Sequence, residues 1–337
     1  MKVLMIFELY DHARNFNGIY HRLESTFKSA FEDDNNHTYK AIYIGNDPGF
    51  INAPKQLNES LLNEDYDIAI ICEGGDMVVD INVAKKVGKK LFIMHCEGWS
   101  GISNNPLTNF LSIYKKPRIW GALNSPCSIF ELSQYCNVLN FDYGYGEMFP
   151  NVYAIFNTLD TRIFNCKNIL ERNIDVGHNG SLSISERVNY VNIFKNNNID
   201  VHYFGHIINN NKISTSYSSD QEYANIFKRT KISLSFTDSI FGRNWKQRKG
   251  RVSDIASCGS FMLTTNPEVL SYDNNSWFEE GIHFDSINEN DCIDKIKYYL
   301  NNPKKREAIA NAFHEKWLET CGPKAFWEKI FKWSNDK

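Results

Sequence analysis

KGRVSDIASCGSFMLT, residues 249–264, is the stretch whose reading decides the fold. Two cations, Lys249 and Arg251, stand at the start of a helical run over 250–257, and Asp254 lies within it. Cys258-Gly259 breaks that run, and the apolar residues 261–264 follow at once as a buried strand. A helix feeding an uninterrupted apolar strand is part of a parallel sheet covered on both faces. Arg251 and Asp254 are three apart, so a helix carries them on one face. As surface neighbours they would make an ion pair worth ~0.2–0.5 kcal/mol. As part of a site, they would set a guanidinium fork and a carboxylate beside one ligand.

Working outward, the same alternation fills the chain. In the front half, strands are expected at 2–7, 39–45, 67–72, 90–95, 118–123 and 137–141. Helices are expected at 13–31, with Phe16, Ile19, Leu23 and Phe27 on one face, at 77–87 and at 128–135. The pattern restarts with strands at 174–178, 200–204 and 231–236 and helices at 183–196 and 221–228. Helices at 290–300, 303–318 and 326–333 close the chain. This predicts an α/β protein of two Rossmann-like, doubly wound domains. The expected bounds are 1–165 and 166–320, with a linker in 157–172, and a last helix in 321–337.

Length agrees with two domains, because single cores stop growing beyond ~250–300 residues and this chain has 337. A net charge of −3 disfavours a general polyanion binder, which needs clustered Lys and Arg. The eight cysteines are scattered without a CxxC pair, which reads as reduced thiols of a cytoplasmic protein. The opening MKVLMIFELYDH is too short in its apolar part for a secretory leader. No window approaches the ~18–20 apolar residues of a membrane span.

In open α/β sheets, ligands lie beyond the carboxyl ends of the strands, so the loops there hold the candidates. DVGHNGSLSISER, 175–187, runs from strand to helix. Gly180 permits a tight turn, Ser181 offers a hydroxyl and an amide, and Arg187 can reach back over the first helical turn. With the unpaired N–H groups of the helix terminus this makes a diphosphate cradle, although a capped turn explains the same residues. LFIMHCEGWSG, 91–101, brings Glu97 as a candidate general base and Trp99 as a platform for a sugar ring. Asp11 and His12 in 8–18 and Asp76 in 72–76 could floor an acceptor pocket. Gly259 would leave room for a ligand after the 250–257 helix. There is no P-loop lysine motif, no GxSxG elbow and no DxD-like pair after a strand. GYGEMF, 144–149, lacks the third glycine of a dinucleotide fingerprint.

The run KGRVSDIASCGSFMLT, then WFEEGIHF, then DCIDKIKYYLNNPKKREAIANAFHEKW resembles the C-terminal domain of group-1-like GT-B glycosyltransferases, spore-maturation types included. Residues 175–205 are similar to that domain's first βαβ segment. A more distant resemblance is to phage DNA β-glucosyltransferase. The resemblance implies two domains facing a central cleft, a last helix in 321–337 that returns to the first domain, and a nucleotide diphosphate sugar as donor substrate: a UDP-sugar, with a GDP-sugar as the alternative. It implies no required cofactor and no metal. Arg251 takes the donor-phosphate position, and Asp254 the position of a ribose-binding Glu. Ser181 and Arg187 match the diphosphate loop, and Glu97 falls where the glucosyltransferase has its base. Asp254 is one methylene short of that Glu. Ser253 replaces an aromatic, and His283 stands near a common Glu. Lys246 occupies the place of the second acid of retaining enzymes, which tilts the expectation toward inversion. The acceptor is a carbohydrate or another hydroxyl compound. Two alternatives are a DNA-modifying glucosyltransferase and a non-catalytic sugar-nucleotide-binding or coat-type protein.

Overall fold

The structure, a computed structural model, describes residues 1–8, 22–32, 36–44, 53–72, 79–95, 132–140, 150–167, 171–180, 185–204, 219–239, 242–246, 250–272 and 275–335. The chain divides into two compact units. One holds Met1–Ile155 and Lys324–Lys337, the other Phe156–Pro323.

The first unit is built on strands β1 (Lys2–Glu8), β2 (Thr38–Ile44), β3 (Ile68–Cys72), β4 (Leu91–His95), β5 (Asn137–Asn140) and β6 (Val152–Ala154). They form one sheet in the order β2-β1-β3-β4-β5-β6, with every pair parallel. Helices α1 (Arg22–Ala30), α2 (Ala53–Asn63) and α3 (Ile81–Val87) connect them. Successive side chains of a strand point to opposite faces, so a run such as VLMIF must be covered twice. Leu4, Ile6, Ala69, Ile71, Leu91 and Ile93 pack with Leu57 and Leu61 of α2 and Ala84 of α3. Val3, Met5, Phe7, Ile68, Ile70 and Phe92 pack with Leu23 and Phe27 of α1. The helix expected over 77–87 starts only at Ile81, because Asp80 is its cap: its carboxylate accepts from the Asn82 N–H at 2.7 Å. The strand expected over 118–123 lies outside the described residues.

The second unit is built on β7 (Ile174–Asn179), α4 (Ser185–Asn196), β8 (Val201–Phe204), α5 (Asp220–Arg229), β9 (Thr230–Ser235), a hairpin of β10 (Asp238–Ser239) and β11 (Gly242–Lys246), α6 (Arg251–Ser257) and β12 (Phe261–Thr264). After these come the short ribbon β13 (Ser271–Tyr272) and β14 (Asn275–Ser276), β15 (Asp285–Ser286), α7 (Cys292–Asn301) and α8 (Pro303–Cys321). The sheet order is β15-β12-β9-β7-β8, again parallel throughout. The hairpin was not anticipated from the sequence.

The last helix, α9 (Pro323–Asn335), carries Phe326, Trp327 and Ile330 into the first unit's core beside Phe27. Trp327 is fully buried and meets the Phe27 ring edge-on at 5.0 Å. Its indole N–H donates to Thr26 Oγ1 at 3.4 Å. Truncating a buried Trp leaves a cavity and typically costs about 3–5 kcal/mol. Trp327→Ala is therefore expected to lower the denaturant midpoint sharply, measured by urea unfolding with tryptophan fluorescence and circular dichroism.

The polar residues after β6 do not form a solvated linker. Asn157, Thr158 and Asp160 are buried, and the Ser253 hydroxyl donates to the Asn157 carbonyl at 2.5 Å. The compact units part at Ile155, ahead of the 165/166 boundary expected from composition. Packing against α6, not polarity, fixes where the second unit begins.

Candidate active site

Strand order locates the site. From β7 the chain goes to β8 on one side, and then to β9 on the other. The carboxyl ends of β7 and β9 therefore flank a topological switch point, the place where open α/β sheets take their ligands. Gly180 follows β7 directly, and its N–H donates to the Phe204 carbonyl at 2.7 Å. Its φ is +141°, a backbone conformation open to glycine and strained for other residues. A Cβ there would lie 1.9 Å from Arg251 Nη2 and 2.9 Å from Cζ. The missing side chain is thus the space that the Arg251 guanidinium fills. Two motifs read separately in the sequence meet at this point.

Arg187, on the first turns of α4, is also drawn to the switch point. It is 4% exposed, and its Nη2 donates to the Phe236 carbonyl, just past β9, at 3.4 Å. Between these elements lies His178, near the end of β7. Burial holds its imidazole well below the ordinary histidine range, and the positive charges of Arg251 and Arg187 push the same way. Two guanidiniums in a water-poor corner beside a helix amino end form an environment complementary to a phosphate group.

Asp254 is not a surface residue. It is 5% exposed, and the Tyr223 hydroxyl of α5 donates to its Oδ2 at 2.7 Å. The Tyr223 ring is held edge-on against Phe227 at 5.3 Å and Phe164 at 6.2 Å. This phenol sets the carboxylate's orientation, a role the sequence did not disclose. Ser253 is buried and bonded to the chain at Asn157.

Gly259 is not part of this corner. It sits past the other end of α6, about 10 Å away by helical rise, and leads into the amino end of β12, away from the carboxyl ends of the strands. Its φ is +63°, and a Cβ would stand 2.5 Å from Cys166 Sγ. Arg172 donates to its carbonyl. The glycine's freedom serves a tight helix-to-strand turn against Cys166 and Arg172. His283 is likewise committed locally: the Glu279 N–H donates to its Nδ1 at 2.9 Å. Ser181, Lys249, Glu97, Trp99, Asp11, His12 and Asp76 lie outside the described residues.

Cys136, Cys166, Cys258, Cys292 and Cys321 are free thiols. Burial pushes Cys136 and Cys258 up to about 12 and Cys166 to about 11, so they are unreactive packing residues. None of the described helices is long and apolar enough to cross a membrane. The corner's other members, His178, Tyr223 and the Phe236 carbonyl, were missed because only strand pairing brings them together. A histidine inside a β-strand reads as core; the signal was its place one residue before the Asn-Gly turn.

Residues 190–331 match the family model described as "Glycosyl transferase-like". No curated protein matches the sequence. Several solved structures share the whole fold at low identity. An alpha-glucosyltransferase in complex with UDP superposes with a TM-score of 0.63 at 10% identity, over 100% of each chain. An alpha-glucosyltransferase in complex with UDP-glucose and DNA containing an abasic site gives 0.59 at 11% identity, also over 100% of each chain. AviGT4, a glycosyltransferase involved in avilamycin A biosynthesis, gives 0.60 at 9% identity, covering 99% of this chain and 97% of its own. Its two parallel sheets flanked by helices give this chain the fold of the GT-B glycosyltransferases, and most of its second unit matches a glycosyl transferase-like domain.

Proposed function

We propose that the enzyme takes its sugar from a UDP-sugar and transfers it to an acceptor hydroxyl without a metal ion. The observation that carries this reading is the Arg251 guanidinium seated over Gly180 at the switch point, with Arg187 directed to the same corner. When the bond from the anomeric carbon to the diphosphate oxygen breaks, negative charge grows on the leaving phosphate. Fixed guanidiniums in a dry site stabilise that charge more in the transition state than in the ground state. Asp254, oriented by Tyr223, accepts from a ribose hydroxyl. Structures of similar fold bound to UDP and UDP-glucose support uridine over guanosine.

A thermal-shift comparison of UDP with GDP, ADP, CDP and dTDP tests the donor. A ligand at 100 times its Kd stabilises by about 2.7 kcal/mol. Stabilisation by GDP and none by UDP would replace the nucleotide. Glu97 is proposed as the base that removes the acceptor proton, with inversion at the anomeric carbon. Glu97→Gln is then expected to abolish transfer and spare UDP binding, as read by product formation and calorimetry. A product that keeps the donor's α configuration by NMR would remove Glu97 from that role.

A second reading, transfer to DNA, is favoured by the DNA complex among the similar structures and opposed by the net charge of −3. Incubating duplex DNA with labelled UDP-glucose distinguishes the two; label retained on the duplex would establish the DNA acceptor.

A further inference from the structure

His178 has no part in the reading above, yet its surroundings are those of a working group. The side chain is 1% exposed. Its Nδ1 lies 3.1 Å from the Leu234 carbonyl of β9. A carbonyl only accepts, so Nδ1 carries the proton, and the neutral ring leaves a bare lone pair on Nε2. Nε2 is buried and, among the described residues, has no hydrogen-bond partner. Buried polar atoms are nearly always paired, so an orphan acceptor calls for an explanation.

The groups around the ring supply one. Phe236, just after β9, packs on it at 4.8 Å, and Tyr203 of β8 stands edge-on at 6.4 Å. Burial pushes the Tyr203 phenol up to about 12, so it is uncharged. The charges acting on the ring are Arg251 from α6 and Arg187 from α4. A guanidinium has five N–H donors and no acceptor, the complement of a bare imidazole nitrogen. A phenylalanine would fill the same space between Phe236 and Tyr203 and leave no orphan atom, yet the chain has histidine.

We propose that His178 is a positioning residue of the phosphate corner: its Nε2 accepts an N–H of the Arg251 guanidinium as the donor's diphosphate is bound, and so fixes the fork toward the phosphate. The inference rests on the donor reading above. It requires the imidazole to stay neutral, since a proton on Nε2 would turn the acceptor into a third cation. Burial and the two arginines keep it so.

His178→Phe and His178→Gln test this, titrated by calorimetry with UDP and separately with inorganic pyrophosphate. His178→Phe keeps the packing and loses the acceptor. It is expected to fold with an unchanged circular dichroism spectrum and to bind both ligands about tenfold more weakly, the effect of one charge-assisted hydrogen bond. His178→Gln places an amide oxygen near the Nε2 position and is expected to stay within about threefold of the parent. Parent-like affinity of a folded His178→Phe for pyrophosphate overturns the proposal and leaves the donor reading intact. Pyrophosphate binding without UDP binding overturns the nucleotide and leaves the histidine comparison readable. Binding of neither removes the corner and the proposal together. Long-range nitrogen NMR of the ligand-free protein gives an independent reading: an Nε2–H tautomer, or a midpoint near the ordinary value of about 6.5, also overturns it.

Discussion

Arg251→Ala is expected to weaken UDP binding by roughly two orders of magnitude while leaving the unfolding midpoint nearly unchanged. Arg251 as a whole is half-buried, and its guanidinium fills the space over Gly180 outside the buried apolar clusters, so its loss opens no cavity in either core. What is lost is a charged fork facing a diphosphate in a low-dielectric corner. Removing one partner of such a pair costs about 2–5 kcal/mol, and each 1.4 kcal/mol is tenfold in affinity. Arg187 remains, so binding is reduced and not abolished. Arg251→Lys restores the charge without the planar fork and is expected to recover only part of the affinity. Calorimetric titration of UDP into the three proteins gives the values directly. Equal affinity in parent and Arg251→Ala would take the diphosphate out of this corner, and the proposed donor site with it.

Gly180→Ala is expected to impair donor binding and transfer through a single methyl group. Two effects add. The φ of +141° disfavours any side chain, by about 1–3 kcal/mol for sparsely populated backbone regions. The new Cβ also falls 1.9 Å from Arg251 Nη2, so the guanidinium has to swing away. That group ends a flexible side chain, so the fold accommodates the change and the aim of the fork does not. Displacement of a positioning group by about 1 Å can cost about 10²-fold in rate. The measurements are kcat/KM for transfer from UDP-glucose and the urea midpoint. Undiminished kcat/KM would show that Arg251 works from another position. The double variant Gly180→Ala with Arg251→Ala separates the two effects: relief of the collision should leave the double variant little worse than Arg251→Ala alone.

The architecture was legible because it is written in periodicity. Apolar runs such as VLMIF and IAIIC, spaced by helical segments, leave few options besides parallel strands covered on both faces. The final helix was legible as an amphipathic segment at 326–333, and its Phe326, Trp327 and Ile330 lie in the first unit's core. The boundaries were less legible. The capping carboxylate of Asp80 overrode the apolar start at Met77, and buried polar residues after Phe156 imitate a linker.

At the site, the sequence marked Gly180, Arg187, Arg251 and Asp254 as separate features of two loops. It could not tell that Arg251 occupies the space left by Gly180, that Tyr223 claims one oxygen of Asp254, or that Gly259 serves the turn into the amino end of β12. Residue types and their local spacing follow from the chain's own periodicity, because helix and strand geometry repeat over a few residues. Which distant residues share a ligand depends on strand order, and that is settled only when β7 takes β8 and β9 as its two neighbours.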